Sequence, residues 1–83
     1  MRVYLEGTGQ GDPLTAFAQF SRAATARTLP VTIEDPVAIQ KGSGRFFVDV
    51  RHVHTQDAIA VVQAVLDQAP DAVEAFELST AQD

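Results

Sequence analysis

Residues 44–51, Gly44-Arg45-Phe46-Phe47-Val48-Asp49-Val50-Arg51, decide the fold of this 83-residue chain. From Arg45 onward, side chains that favour the core alternate with side chains that face away from it, and this period of two residues is typical of a half-buried strand. The buried face would carry Phe46, Val48 and Val50, and the opposite face Arg45, Phe47, Asp49 and Arg51. The preceding Lys41-Gly42-Ser43-Gly44 predicts a hairpin turn, so an antiparallel strand should come just before it.

Toward the N-terminus the pattern predicts a strand followed by a helix. Val3 and Leu5 alternate with polar or amphipathic neighbours, and the glycine-rich run 7–11 ends that strand. Asp12-Pro13 is a strong helix start, because the carboxylate can cap the first turn and proline loses no hydrogen bond there. The helix should present Leu14, Phe17, Ala18, Ser21 and Ala24 to the core, and it should end near residues 27–28.

The remaining segments are a strand on each side of a second helix. A strand begins at Val31, is interrupted at Asp35-Pro36 as in an edge strand or bulge, and resumes over residues 37–40. A second helix capped by Thr55 should run to about Gln68. Pro70-Asp71 should stop it, residues 72–78 should form the last strand, and residues 79–83 should be a frayed tail.

This order, βαββαβ, predicts an α+β fold of the ferredoxin-like plait type over residues 1–78. Its antiparallel sheet would have four strands in the order 4-1-3-2, with two helices covering one face. Alternation in the strands and helical period together predict the following core: Val3, Leu5, Leu14, Phe17, Ile33, Phe46, Val48, Val50, Ile59, Val62, Leu66 and Phe76.

Composition excludes several chemistries. The chain has no cysteine, so disulfides, thiolate metal sites and a cysteine nucleophile are excluded. The formal net charge is −5, and no lysine or arginine follows Arg51, so nucleic-acid binding is not expected. The N-terminus has the pattern of a strand rather than a signal peptide, and no apolar run is long enough to cross a membrane. We expect a soluble cytoplasmic protein.

The uncovered face of the predicted sheet is the main candidate site. Aromatic side chains exposed at adjacent central positions usually mark a contact surface. An alternative is that Tyr4 and Phe47 pair with each other and are partly covered by arginine stems. The candidate binding residues are Arg2, Tyr4, Glu6, Phe47, Asp49 and Arg51.

The same residues carry a resemblance to the RNA-recognition motif. Val3-Tyr4-Leu5-Glu6-Gly7 resembles that family's first-strand signature, and residues 44–50 resemble its third-strand signature, with Phe47 in a base-stacking position. Residues 56–59 are similar to the start of its second helix. The resemblance implies a plait that binds single-stranded RNA on its sheet. Arg45 stands where the family has a second aromatic residue, and Phe46 where it has a small one.

Three other features are candidate sites. The run Gly7-Thr8-Gly9-Gln10-Gly11 lies where a phosphate could bind, but it lacks a P-loop ending, so a flexible turn is favoured. His52 and His54 could share a metal, although solvated or hydrogen-bonded imidazoles at a strand end are favoured. The second helix is apolar around most of its circumference, so its outer side, with Val61 and Val65, is a competing contact surface.

These observations predict a small, non-catalytic interaction or regulatory module without a cofactor or metal. We expect it to form a homodimer or bind a protein partner through the uncovered sheet face. The alternatives are a single-stranded nucleic-acid binder of RNA-recognition type and a sensor of a small ligand or metal.

Overall fold

The structure, a computed structural model, describes residues 1–51 and 54–82, and these residues form four strands and four helices. In chain order they are β1 (Arg2–Gly7), α1 (Pro13–Ala26), β2 (Val31–Ile33), α2 (Pro36–Gln40), β3 (Arg45–Asp49), α3 (Thr55–Asp67), α4 (Pro70–Ala75) and β4 (Phe76–Gln82). The strands form one antiparallel sheet in the order β2-β3-β1-β4, which is 4-1-3-2 when counted from the β4 edge. The protein is therefore α+β.

Helix α1 has the ends that its sequence predicts. The Asp12 side chain accepts a hydrogen bond from the backbone N–H of Leu14 at 3.2 Å, and Pro13 occupies the first turn. At the other end the Leu29 N–H donates to the Ala24 carbonyl at 2.9 Å. This closes the helix with a Schellman-type turn. At 14 residues α1 is the longest described helix. Across the described ranges, no helix has both the length and the apolar character that a membrane crossing needs.

The second Asp-Pro pair also starts a helix, so the predicted continuation of the second strand over residues 37–40 is wrong. The Asp35 carboxylate accepts hydrogen bonds from the N–H groups of Val37 and Ala38 at 3.0 and 3.2 Å. Pro36 is the first residue of α2. The local chemistry is the same as at Asp12-Pro13, and it ends β2 after three residues.

The C-terminal third differs most from the prediction. Pro70 starts the short helix α4 instead of ending the helical region, so the last strand occupies residues 76–82 and not 72–78. The predicted frayed tail is also corrected, since Ser79 to Gln82 belong to β4, which pairs with β1 through a register shift next to Tyr4. Thr55 is the first residue of α3 rather than its cap, and His54 holds the capping position without a side-chain hydrogen bond.

The core lies between one face of the sheet and the helices. Its centre is the ring of Phe46, which meets the rings of Phe17, Phe20 and Phe76 edge-on or nearly so at centroid distances of 5.0–5.2 Å. All four helices contribute buried side chains to this same cluster. Confirmed as buried are Val3, Leu5, Phe46, Val48, Val50, Val62, Leu66 and Phe76.

The other four predicted core residues lie on helices α1 and α3 or on the edge strand β2. Phe17 and Ile33 are partly buried at the margin of the core. Leu14 is 55% exposed and Ile59 38% exposed, so both predictions were wrong. On the predicted core face of α1, Ala24 is buried and Ala18 is exposed. Ala16 and Phe20 complete the buried stripe, which the many alanines of this helix make hard to locate from hydrophobicity alone.

Candidate interaction surface on the open sheet face

One face of the sheet is turned away from the helices, and the strand register defines its residues. Across β1 and β3 the side chains form three facing pairs: Arg2 with Asp49, Tyr4 with Phe47, and Glu6 with Arg45. On β2, Thr32 lies beside Phe47. These seven residues are called the open sheet face below. They alternate with Val3, Leu5, Phe46 and Val48, which point into the core.

The middle of this face is an aromatic pair. The ring centroids of Tyr4 and Phe47 are 5.4 Å apart, with the rings tilted by 51°. Tyr4 is only 5% exposed, whereas Phe47 is half-buried. Cross-strand aromatic pairs stabilise a sheet in this geometry. The structure therefore contains the alternative arrangement, in which the two rings pair with each other. Phe47 is the more accessible ring of the pair.

Arg45 covers the Tyr4 side of the pair. Its guanidinium carbon lies 4.5 Å from the Tyr4 ring centroid. The guanidinium also donates to both carboxylate oxygens of Glu34, at 3.1 and 3.4 Å. The hydrogen bond to Glu34 raises the pKa of Arg45, and the charge of Glu34 and smaller contributions from Tyr4 and Glu6 act in the same direction. The guanidinium of Arg45 thus covers the Tyr4 ring, and Glu34 holds the guanidinium in that position.

Arg2 covers the Phe47 side in the same way. Its guanidinium carbon lies 4.7 Å from the Phe47 ring centroid, without a salt bridge to a described carboxylate. Asp49, opposite Arg2, makes a 3.7 Å ion pair with the exposed guanidinium of Arg51. Exposed cation–π contacts and ion pairs contribute at most about 1 kcal/mol each. A binding partner can therefore displace Arg2 from the Phe47 ring at little cost in free energy.

The structure brings five of the six predicted site residues onto this face, and places the sixth at its margin. Arg51 lies just beyond the end of β3 and reaches the face only through Asp49. Sequence reasoning missed Arg45, Thr32 and Glu34 as part of the site. Strand alternation already placed Arg45 on the same face as Phe47, so its role was available from the pattern. The role of Glu34 was not, because it depends on where β2 ends.

Four backbone N–H groups of the glycine-rich loop donate hydrogen bonds within the protein. The N–H groups of Gly7, Thr8 and Gly9 donate to the carbonyls of Gly44, Ala75 and Gly42, at 2.9–3.1 Å. The Gln10 N–H donates to the Thr8 hydroxyl at 3.2 Å. Gly7 has no space for a Cβ atom, which would meet the carbonyl oxygen of Gly42. The loop is therefore a tightly bonded joint between β1 and its neighbours, and these N–H groups are not free to bind a phosphate.

The competing surface on the second helix is corrected. Val65 is fully buried and Val61 is partly buried, so they do not form an outer apolar stripe. The large apolar side chain that α3 exposes is Ile59. Of the two candidate metal ligands, His54 is exposed before α3, and His52 lies outside the described residues. Within the described part of the chain, no three histidine, aspartate or glutamate side chains come together as a metal site would require.

An open depression of about 780 Å³ lies where α1 and β3 end. Thr25, Thr28, Leu29, Pro30, Asp49 and Arg51 line it. The surface with the most complete set of contact-forming groups is nonetheless the open sheet face, where aromatic and charged side chains lie together. Comparison of the chain with models of known protein families, with curated proteins and with solved structures finds no match.

Proposed function

We propose that this protein is a small, non-catalytic interaction module that binds another protein through the open sheet face. The observation that carries the proposal is the Tyr4–Phe47 pair, which lies on the face away from the helices and carries one arginine over each ring. Aromatic and arginine side chains are the types that contribute most to protein interfaces. Phe47 would be the central anchor, since it is the more exposed ring.

We further propose that the architecture is a ferredoxin-like plait with two short helices added. The order of strands and the antiparallel pairing of β1 with both β3 and β4 support this assignment. Helices α2 and α4 would then be insertions, one on each side of β3 along the chain. They thicken the covered side of the sheet and leave the open sheet face unobstructed.

Electrostatics favour a protein over a nucleic acid as the partner. The Tyr4 ring is 5% exposed, so a base could stack on it only if Arg45 left both the ring and Glu34. Glu6 stands beside Arg45 on β1, and Glu77 stands beside Glu6 on β4. Glu34 and Glu6 beside the Arg45 guanidinium, with Glu77 next to Glu6, oppose a phosphate backbone, and the net charge of −5 acts in the same direction.

Site-specific photocrosslinking tests the location of the contact. A photoreactive residue would replace Thr32, which is exposed on the open sheet face, and in a matched variant Gln63, which is exposed on α3. Protein adducts should form at position 32, should be lost when Phe47→Asp is added, and should be far weaker at position 63. Equal crosslinking at both positions, or adducts insensitive to Phe47→Asp, would contradict the proposal. Adducts with RNA alone at position 32 would instead support the nucleic-acid alternative.

A further inference from the structure

We infer that the open sheet face binds a second copy of this chain about a two-fold axis. The inference rests on the proposed function and names the partner of the same surface. Its basis is the arrangement of four charges around the aromatic pair. Arg2 and Asp49 face each other on one side of Tyr4 and Phe47, and Glu6 and Arg45 face each other on the other side.

The signs of these charges alternate around the aromatic pair. The two arginines occupy one diagonal, and the two carboxylates occupy the other. When two such faces stack about a two-fold axis that lies in the interface, either along or across the strands, every arginine meets a carboxylate of the other copy. A two-fold axis along a diagonal of the face would instead put like charges together. The face is therefore complementary to itself under the symmetry that homodimers use most.

Both possible axes bring the aromatic pairs of the two copies face to face at the centre, where the arginine over each ring has to turn aside before the rings touch. With the axis across the strands, Arg2 meets Glu6 of the second copy, and Phe47 meets its equivalent. With the axis along the strands, Arg2 meets Asp49 of the second copy, and Phe47 meets Tyr4. Aromatic contacts surrounded by paired charges are the usual composition of an interface centre and its rim.

The size of the face predicts a weak dimer. Four strands about 4.8 Å apart and about five residues long span roughly 20 by 17 Å. Such an area lies below the roughly 800 Å² per partner that is typical of stable interfaces. Contacts across the dimer also compete with an existing ion pair, because Arg45 must bind a carboxylate of the second copy while it is paired with Glu34 of its own copy. We expect a dissociation constant on the order of tens of micromolar at low salt, with dissociation promoted by added salt.

Sedimentation equilibrium on single charge reversals and their mixtures is the decisive experiment. Arg2→Glu, Glu6→Arg and Asp49→Arg should each weaken the homodimer by about tenfold or more, because each places like charges together. An equimolar mixture of Arg2→Glu with Glu6→Arg regains opposite charges if the axis runs across the strands. A mixture of Arg2→Glu with Asp49→Arg regains them if the axis runs along the strands. One of the two mixtures should therefore recover the wild-type affinity, and circular dichroism would confirm that each variant is folded.

Two results would overturn the inference. One is a wild-type protein that stays monomeric up to hundreds of micromolar at low salt, and the other is failure of both mixtures to recover association. The wild type alone gives an independent measurement, because its dissociation constant should rise between about 0.05 and 0.5 M salt as the charges are screened. If the wild type is monomeric while the position-32 crosslink to a different protein still depends on Phe47, the proposed function survives and the second copy is excluded.

Discussion

Gln19 on α1 and Asp71 on α4 hold each other through two hydrogen bonds. The Gln19 side-chain amide donates to the Asp71 carboxylate at 2.7 Å, and its carbonyl oxygen accepts from the Asp71 backbone N–H at 3.3 Å. Helix α4 has Ala69 at its N-cap position, which provides no side-chain acceptor. Gln19 therefore supplies, from 52 residues away, the acceptor that a local cap residue usually provides.

Gln19→Ala should lower the free energy of unfolding by about 1 kcal/mol, because α4 loses this acceptor and a contact to α1. The matched control is Gln63→Ala on α3, where the side chain makes only a 3.4 Å hydrogen bond to Asp67. Urea denaturation of both variants would measure the difference. Equal midpoints would mean that the Gln19–Asp71 contact contributes nothing to stability.

Local signals explain part of the difference between the helices that the sequence predicts and those that it misses. Helix α1 was predicted because all its signals are local: Asp12 and Pro13 at one end and Pro30 beyond the other. Helix α4 was missed because its acceptor lies on another helix. Helix α2 was missed although Asp35-Pro36 is the same local signal, because the apolar residues after it also suit a strand.

The candidate site was predictable to a similar degree. Alternation along two strands placed Tyr4 and Phe47 on one face, and the register makes them direct partners. Alternation does not predict how exposed the two rings are, because their exposure depends on the direction in which the long arginine side chains fold over them. The Arg45 guanidinium lies over Tyr4 and is bound at the same time by Glu34, the residue that follows β2. Arg45, paired with Glu34 at the end of the neighbouring strand, therefore covers Tyr4, and Phe47 is the more accessible ring.

Phe46→Ala should cost about 3–5 kcal/mol, which is enough to unfold much of a domain this small. Phe46 is fully buried and its ring contacts three other phenylalanine rings. Phe47→Ala, one residue away on the opposite face, should cost far less. Chemical denaturation of the two variants provides the comparison, and the reverse order would show that the faces of β3 are exchanged.

Val65→Asp should destabilise the protein by about 3 kcal/mol or more, because it places a carboxylate in the core without a partner. Ile59→Asp, on the same helix, should be tolerated, since Ile59 is 38% exposed and Val65 is fully buried. Circular dichroism in increasing urea would distinguish them. Val65→Asp that folds as stably as Ile59→Asp would mean that α3 is rotated about its axis relative to the structure described here.

Acid should weaken the start of α1 through Asp12. Its hydrogen bonds from the Thr15 side chain and backbone, together with the bond from Leu14, lower the pKa of Asp12 below its ordinary value of 3.8. A carboxyl whose pKa is lower in the folded state stabilises the fold above the unfolded pKa, and that contribution disappears as pH falls through the folded value. Carbon-13 NMR titration should find the Asp12 pKa below that of a free aspartate. Thr15→Ala should raise it, and an unchanged pKa in that variant would exclude the Thr15 hydroxyl as the main cause.

Thr28→Gly should stabilise the protein. Thr28 follows the end of α1 with a φ of +57°, in the left-handed region that β-branched residues rarely adopt. Relief of that conformation is worth about 1–2 kcal/mol, and glycine loses about 0.5–1 kcal/mol of it through the greater entropy of the unfolded chain. The net gain should raise the urea midpoint, whereas the control Ala18→Gly, in the exposed middle of α1, should lower it by costing about 1 kcal/mol. If Thr28→Gly destabilises the protein as Ala18→Gly does, the left-handed conformation of Thr28 carries no strain. The hydrogen bond that the Thr28 hydroxyl donates to the Arg27 carbonyl at 2.6 Å would then be the feature that stabilises this turn.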